Sequence, residues 1–226
     1  MSFDKLRFEN PEGDELAARL DHPTDGPARA YALLAHCFTC SKDIAAATRI
    51  SRALAREGFA ILRFDFTGIG NSEGDFSNTN FSSNISDLVS AAGFLRANHG
   101  LPRLLIGHSL GGSAVLAAAL EIPETAGVVS IGAPSDPEHV TGLFEHARPE
   151  IDSEGKAEVV LGGRKFTIRR EFLEDLANHA LDERLRRLHT PALILHSSED
   201  EIVSVGNAEA IFAALRHPKS FVSLFP

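Results

Sequence analysis

The chain has 226 residues and a mass of 24.3 kDa, with 43% hydrophobic and 23% charged residues and a formal net charge of -9. This length suits a single domain with a sizeable core, and the composition is that of an ordinary globular protein. The acidic balance, without clustered basic residues, argues against nucleic acid or an anionic membrane surface as a partner.

The N-terminal segment gives no sign of an export signal. Charges at Asp4, Lys5 and Arg7 stand where a signal peptide would need an apolar core. No apolar run approaches the ~20 residues of a membrane span. The sequence therefore predicts a cytoplasmic protein with no membrane partner.

The first half of the chain alternates between strand and helix patterns. Strands are predicted at residues 3–8, 14–20, 30–35 and 59–64. Between the last two, Ile44, Ala47, Ile50 and Leu54 recur at helical spacing, and Ser41 is the expected N-cap. The loop at 65–72 has several glycines but lacks the spacing of a phosphate-binding loop, so we interpret it as structural.

The alternation continues to the end of the chain. Further strands are predicted at 104–106, 128–131, 192–196 and 220–224, and further helices at 85–95, 113–120 and 208–215. Such alternation predicts an α/β domain with a largely parallel sheet and helices on both faces.

Residues 134–180 interrupt this rhythm within a single domain spanning 1–226. Two short strand patterns flank Gly162-Gly163-Arg164 and predict a β-hairpin, and a charged helix at 169–178 follows. We expect this insertion to form a small cap over the strand ends.

The sequence Gly107-His108-Ser109-Leu110-Gly111 lies between a predicted strand and a predicted helix. A serine on such a tight turn projects its hydroxyl from the sheet, and the glycines allow the close packing of the turn. The N–H of Leu110, at a helix N-terminus, is free to bind an oxyanion. We therefore predict Ser109 as a nucleophile.

The remaining parts of an acyl-transfer site are expected at the same sheet edge. The backbone N–H of Phe38, after the strand at 30–35, is the expected second oxyanion donor. Asp200, after the strand at 192–196, is the best-placed acid to orient a base. The lesser candidates for that acid are Glu199, Glu201 and Asp136.

The two cysteines, Cys37 and Cys40, form a Cys-x-x-Cys pair after a predicted strand. Two cysteines make no disulfide framework, and without further ligands they make a poor zinc site, so we predict no metal. The pair is either packing in the oxyanion loop or a thiol redox centre.

Four motifs together resemble the α/β-hydrolase superfamily across essentially the whole chain. They are Gly107-His108-Ser109-Leu110-Gly111-Gly112, the His36-Cys37-Phe38 loop, Asp65-x-x-Gly68-x-Gly70-x-Ser72 and Asp200-x-x-Val203. The chain looks most similar to the hydrolase domain of bacterial hydrolase–OsmC fusion proteins. The resemblance implies the α/β-hydrolase fold and a cofactor-free serine esterase with Ser109 as nucleophile, Asp200 as acid, and Phe38 and Leu110 as oxyanion donors.

The sequence departs from the family in three places. Cys37 and Ser197 stand where glycine is usual. The family also carries its catalytic histidine in a loop after the last strand, and this chain stops at Pro226, where that loop is expected to begin. The third departure implies that the base is missing, is replaced, or comes from a partner chain.

Five histidines are considered as a substitute base. His217 precedes the final strand and is expected at the far edge of the sheet, and the His108 side chain is expected to point away from the pocket. His36 and His196 are expected to be packed structural residues. His139, at the entry to the cap, is the remaining candidate.

The sequence thus predicts an esterase for short acyl esters, with a small-molecule ester as substrate. The pocket lining is expected to include Phe38, Phe66, Leu143 and Phe144. Alternatives are a weakly active or inactive hydrolase-fold binding module and a Cys-x-x-Cys redox protein. Uncovered apolar side chains near Phe221 and Leu224 lead us to expect a homo-oligomer.

Overall fold

A computed structural model of the protein describes residues 2–225; Met1 and Pro226 lie outside this range. An eight-stranded sheet forms the centre, in the order β1-β2-β4-β3-β5-β6-β9-β10. Its strands are β1 (Phe3–Glu9), β2 (Glu15–Asp21), β3 (Ala30–Ala35), β4 (Phe59–Phe64), β5 (Pro102–His108), β6 (Gly127–Ile131), β9 (Ala192–Ser197) and β10 (Lys219–Leu224). A separate hairpin pairs β7 (Lys156–Leu161) with β8 (Arg164–Arg169).

Strand direction follows the α/β-hydrolase pattern. Strand β2 pairs antiparallel with both β1 and β4, and the pairs from β4 to β10 are parallel. The carboxyl ends of β3, β5, β6 and β9 therefore meet at one edge, where ligands bind in open α/β sheets. The predicted fold, a mostly parallel sheet with helices on both faces, is confirmed.

Seven α-helices accompany the strands within residues 2–225. They are α1 (Ala45–Arg56), α2 (Phe81–Asn98), α3 (Leu110–Ala118), α4 (Arg148–Glu154), α5 (Arg170–Asn178), α6 (Leu181–Arg187) and α7 (Gly206–Ala214). Two 3₁₀ segments lie at Phe76–Asn78 and Pro137–Ala147. Among the same residues, no helix has both the length and the apolar character needed to cross a membrane.

The hydrophobic core divides into two clusters, one on each face of the sheet. The larger contains side chains of α2, α3 and α7 packed on the sheet, together with the inserted segments. The smaller contains side chains of α1 against β3, β4 and β5, including Ala47, Ala55 and Leu34. Helix α1 therefore covers the part of this sheet face that is formed by β3, β4 and β5.

Two predicted helix starts differ from the structure. Ser41 is not an N-cap, because α1 begins at Ala45 after Ile44. The segment before it is held in a turn by Asp65, which accepts the backbone N–H of Lys42 at 2.7 Å. Helix α3 begins at Leu110 rather than at the predicted Ser113, directly after Ser109.

The inserted region between β6 and β9 contains the 3₁₀ segment, α4, the β7–β8 hairpin, α5 and α6. The predicted hairpin is confirmed, with Gly162 and Gly163 at positive φ forming its two-residue turn. The boundaries 134–180 for a cap remain a prediction, and α6 was not predicted.

Candidate active site

Ser109 occupies a strained turn between β5 and α3. Its φ of 54° and ψ of -130° lie in a region that non-glycine residues rarely adopt. Its N–H donates to the carbonyl of Ile131 at 2.9 Å, and its carbonyl accepts from the N–H of Gly112 at 2.7 Å. This is the geometry of a nucleophile elbow.

The glycines around Ser109 allow the turn to pack closely. A Cβ at Gly107 would overlap the Gly111 carbonyl, and a Cβ at Gly111 would overlap the carbonyl of His36. Ser113, one turn further along α3, is buried and donates to the Pro134 carbonyl at 2.6 Å. Close packing of backbone on backbone therefore fixes the elbow.

Ser109 lines a cleft of about 580 Å³ whose walls are mostly apolar. The residues lining it are Cys37, Phe38, His108, Ser109, Leu110, Pro134, His139, Val140, Gly142, Leu143, Ile202 and Val203. Apolar walls around one reactive hydroxyl suit an uncharged acyl group.

Of the four predicted lining residues, two line the cleft, one lines a neighbouring cavity and one lines neither. Phe38 and Leu143 line the cleft, whereas Phe66 lines a smaller cavity behind Phe38. Phe144 does not line the cleft: it is buried in the core, with its ring 6.3 Å from that of Phe172. The cleft is also lined by Ile202 and Val203, which follow Asp200 and were not predicted. They lie in a turn, and a turn has no periodic hydrophobic pattern by which the sequence could indicate their position.

The two predicted oxyanion donors border this cleft. Leu110 is the first residue of α3, where backbone N–H groups lack acceptors within the helix. Phe38 lies in the loop between β3 and α1. Among residues 2–225, neither N–H has a hydrogen-bond acceptor, so both are free to bind a substrate oxygen.

The loop that carries Phe38 is anchored at both ends. At its start, the buried His36 ring makes a 2.8 Å hydrogen bond through Nδ1 with the Cys37 carbonyl, and burial lowers the His36 pKa. At its end, the Nζ of Lys42 donates to Asp65 at 2.9 Å. Burial opposes the charge on Lys42, but hydrogen bonds from Nζ to Asp65 and Asp43 leave its pKa raised.

Cys37 and Cys40 are joined by a disulfide, with their Cα atoms 5.3 Å apart. The sequence predicted either packing or redox chemistry for this pair and no disulfide framework. The single bond closes a turn in which the N–H of Cys40 also donates to the Cys37 carbonyl at 3.1 Å.

Asp200 lies in the turn after β9, where the sequence placed it. One oxygen, Oδ1, accepts the N–H groups of Ile202 and Val203 at 3.0 and 2.9 Å. The other, Oδ2, is 3.7 Å from Nε2 of His196 and close to Gly132, at the end of β6. The two hydrogen bonds from backbone N–H groups fix the carboxylate. Oδ2 remains able to accept a hydrogen bond from another group.

His139 shares the Ser109 cleft. It is exposed, and its Nε2 makes a 2.9 Å hydrogen bond with the Ile202 carbonyl, beside the Asp200 turn. Within the described chain, the Oγ of Ser109 has no hydrogen bond to a histidine.

His108 is only partly buried and, in the described part of the chain, makes no hydrogen bond to Ser109. It borders both the Ser109 cleft and a small cavity under α1, so the predicted direction of its side chain, away from the pocket, stays a prediction. Burial lowers the pKa of His108, against a weaker opposing effect of the charge on Asp200. Among residues 2–225, its Nδ1 is buried without a hydrogen-bond partner. The lowered pKa favours a neutral imidazole at this position.

The other histidines at this edge have packing roles, as expected. The His36 ring packs edge-on against Phe66 at 4.9 Å, and the buried His196 bonds to the Val203 carbonyl through Nε2 at 2.7 Å. His217 precedes β10 and therefore lies at the opposite edge of the sheet.

A second groove, of about 650 Å³, lies along β1 and β2 at the other side of the sheet. Its lining includes Lys5, Arg7 and Arg19, but neither Ser109 nor Asp200. The groove with the larger volume is therefore not the cleft that contains Ser109.

Comparison with known proteins agrees with this geometry. The family model described as serine aminopeptidase, S33 matches residues 26–149, more than half of the chain. The mitochondrial palmitoyl-protein thioesterase ABHD10 of Rattus norvegicus is 30% identical over 154 residues, which are 65% of this chain and 50% of that protein. The chain thus spans about half the length of the curated relatives it matches.

Solved structures extend the similarity over nearly all of the chain. The esterase domain of a Rhodothermus marinus protein is 51% identical with a TM-score of 0.79, covering 99% of this chain and 88% of that one. Est1E of Butyrivibrio proteoclasticus, solved with ferulic acid, has a TM-score of 0.82 at 21% identity, covering 97% and 88%. The second similarity is one of fold alone.

Proposed function

The chain belongs to the serine aminopeptidase S33 family of α/β-hydrolase fold serine hydrolases, and on that basis we propose that it hydrolyses carboxylic esters through an acyl-enzyme on Ser109. The observation that carries the proposal is the strained elbow, which presents Ser109 to an apolar cleft beside two backbone N–H groups that have no acceptor among residues 2–225. The 51% identity to the Rhodothermus marinus esterase domain supports the same activity.

In the first step, the Oγ of Ser109 attacks the ester carbonyl while a base removes its proton. The N–H groups of Phe38 and Leu110 then stabilise the negative oxygen of the tetrahedral intermediate. Expulsion of the alcohol, which takes up that proton, leaves an acyl-serine, and water attacks it in a second round of the same chemistry.

We propose His139 as the base, since it shares the cleft with Ser109 and contacts the turn that holds Asp200. In this role its ring releases the Ile202 carbonyl when substrate enters, and Asp200 orients the imidazolium through Oδ2. Catalytic hydrogen bonds are often formed only in the substrate complex.

The proposed substrates are small, uncharged esters with short acyl chains: the apolar cleft walls favour an uncharged acyl group, and the small size of the inserted segment favours a short one. Thioesters belong to the same class, since an acyl-serine forms equally from either leaving group, and the ABHD10 relatives carry the name of thioesterases. The narrower resemblance to the hydrolase–OsmC fusion proteins, the cytoplasmic location and self-association remain predictions.

A second candidate function is a hydrolase-fold binding module. It is favoured by the lack of a hydrogen bond between the Oγ of Ser109 and a histidine within residues 2–225. Such a module would bind esters in the cleft without turnover and would react little with a fluorophosphonate.

Hydrolysis of p-nitrophenyl acetate and butyrate tests the proposal. We expect Ser109→Ala to abolish turnover and fluorophosphonate labelling, and Asp200→Asn to lower kcat by ~10³–10⁴. Glu199→Gln, an exposed neighbour in the same turn, is the matched control and should keep full activity. His139→Ala should lower kcat as Asp200→Asn does, with His146→Ala as its control. Wild-type turnover equal to that of Ser109→Ala would contradict the esterase function and favour the binding module.

A further inference from the structure

The Cys37–Cys40 disulfide lies in the wall of the proposed active site. Cys37 lines the same cleft as Ser109 and Leu110, and both cysteines are only half-buried. The bond spans a separation of three residues, so the closed turn contains Phe38, the proposed oxyanion donor, and Thr39. The mechanism proposed above assigns no role to this bond.

The backbone inside that turn is strained. Thr39 has a φ of 62°, in the left-handed region that β-branched residues strongly disfavour. It is one of two non-glycine residues with positive φ among residues 2–225; the other is Ser109. Such a conformation persists only where the surroundings hold it.

Contacts with the rest of the protein fix the outer parts of the turn. The Phe38 ring packs 5.7 Å from that of Phe76 and 5.6 Å from that of Phe172. The guanidinium of Arg164, on the β7–β8 hairpin, donates to the Thr39 carbonyl. These contacts hold the Phe38 side chain and the Thr39 carbonyl.

The Cys37 carbonyl, which is in the same peptide unit as the Phe38 N–H, is hydrogen-bonded to the N–H of Cys40 at 3.1 Å and to Nδ1 of His36 at 2.8 Å. The disulfide is the covalent restraint that keeps Cys40 in place for the first of these bonds. Opening the disulfide releases the turn, so that Thr39 relaxes, the Cys40–Cys37 hydrogen bond breaks and the Phe38 N–H shifts.

We propose that the Cys37–Cys40 disulfide positions the Phe38 N–H as an oxyanion donor, and that its reduction by a dithiol lowers hydrolysis at Ser109. The inference rests on the proposed esterase function and adds a redox control to the same site. The disulfide is a positioning element, because it acts through the Phe38 backbone and not on the substrate.

The redox step is a thiol–disulfide exchange with a dithiol reductant. One thiolate of the reductant attacks a sulfur of the pair, breaking the Cys37–Cys40 bond and forming a mixed disulfide. The second thiolate of the reductant then displaces the protein cysteine. The protein gains two electrons and two protons as two thiols, and the reductant becomes a disulfide. Disulfides in intracellular proteins are usually transient, catalytic or redox-sensing.

The first experiment uses the wild-type chain and p-nitrophenyl acetate. Because the sequence contains two cysteines, every thiol effect maps to this pair. We expect dithiothreitol to lower kcat tenfold to a hundredfold with KM changed less than twofold, and reoxidation with diamide to restore it. Loss of one oxyanion donor costs about 10²–10³ in kcat, and a displaced donor costs less.

The variants Cys37→Ser, Cys40→Ser and the double variant separate the bond from the side chains. All three should show the same lowered kcat and no response to dithiothreitol, with circular dichroism and Tm close to those of the reduced wild type. A wild type that is active, loses activity in Ser109→Ala and ignores dithiothreitol would overturn the inference and leave the esterase function intact. An oxidised wild type without Ser109-dependent activity would overturn both.

Discussion

Ser109 and Thr39 concentrate backbone strain at the edge of the sheet where the proposed chemistry occurs. Both have positive φ, at 54° and 62°, and both adjoin the proposed oxyanion hole. At Ser109 the strain is held by the packing of Gly107 against Gly111 and of Gly111 against the carbonyl of His36. The elbow and the oxyanion loop are therefore packed against each other, so a change in one displaces the other.

Substituting Gly111 tests this packing. Gly111→Ala places a Cβ against the backbone of Ala35 and His36, which cannot move without shifting β3. We expect a loss of about 1–3 kcal/mol of stability and, if folded, at least a tenfold lower esterase kcat. Gly142→Ala is the control, because a Cβ there meets no atom within 4 Å and its φ is not positive. Urea unfolding measures the stability of both variants. Equal unfolding midpoints for Gly111→Ala and Gly142→Ala would show that the elbow is not tightly packed.

Helix α2 holds the glycine-containing loop after β4. Asp87 of α2 is buried and accepts the N–H of Thr67 at 2.9 Å and the Thr67 hydroxyl at 2.9 Å. Burial raises the pKa of Asp87 to about 6; the Thr67 hydrogen bonds oppose this, and the charges of Glu12 and Asp14 add to it. Since the same loop contains Asp65, the Asp87 clamp also supports the anchor of the oxyanion loop.

This raised pKa gives a pH dependence of known sign. Between pH 4 and 6 the folded protein keeps the Asp87 proton that the unfolded chain releases, so this group makes stability fall as pH rises. Asp87→Asn removes the effect, and its stability relative to wild type should improve by roughly 1–3 kcal/mol from pH 4.5 to pH 7. Asp25→Asn, in an exposed loop, is the control and should show no such trend. Urea unfolding measures the stability difference between Asp87→Asn and wild type. A difference that does not change with pH would contradict the raised pKa.

Sequence patterns predicted the elements whose apolar spacing is regular. They failed where tertiary contacts decide. Ser41 is a residue type that favours helix N-caps. However, the hydrogen bonds from Lys42 to Asp65 hold the next segment in a turn, so α1 begins only at Ala45. Helix α6 is short and charged, so its sequence shows no clear hydrophobic pattern. The structure shows that Leu181 and Leu185 are its buried residues, packed against neighbouring helices.

The candidate site shows the same division. The positions of Ser109 and Asp200 could be predicted from sequence, because each residue closely follows a strand with a regular apolar pattern. The state of Cys37 and Cys40 could not, because bonding depends on the shape of the intervening turn, including the left-handed Thr39. That His108 borders two cavities likewise depends on which segments cover β5 and β6.

The two faces of the central sheet are unequally covered by helices. On the face of α1, the side chains of Val129, Leu193 and Leu195 are only partly buried. Strand β10 continues this surface, since Val222 pairs in register with Leu195 and is 47% exposed. Among the described residues β10 is also an edge strand, with backbone groups available for pairing.

We expect this surface to mediate self-association of the 226-residue chain. An exposed apolar strip on an edge strand is a common site of pairing, and a stable dimer buries roughly 800 Å² per partner. Val222→Lys should weaken association at least tenfold, because it brings like charges together in a symmetric contact. Val160→Lys is the matched control, since Val160 is 62% exposed on the β7–β8 hairpin, away from this face. Light scattering at micromolar concentration measures both: a dimeric or larger wild type and control beside a monomeric Val222→Lys support the assignment, and a monomeric wild type contradicts it.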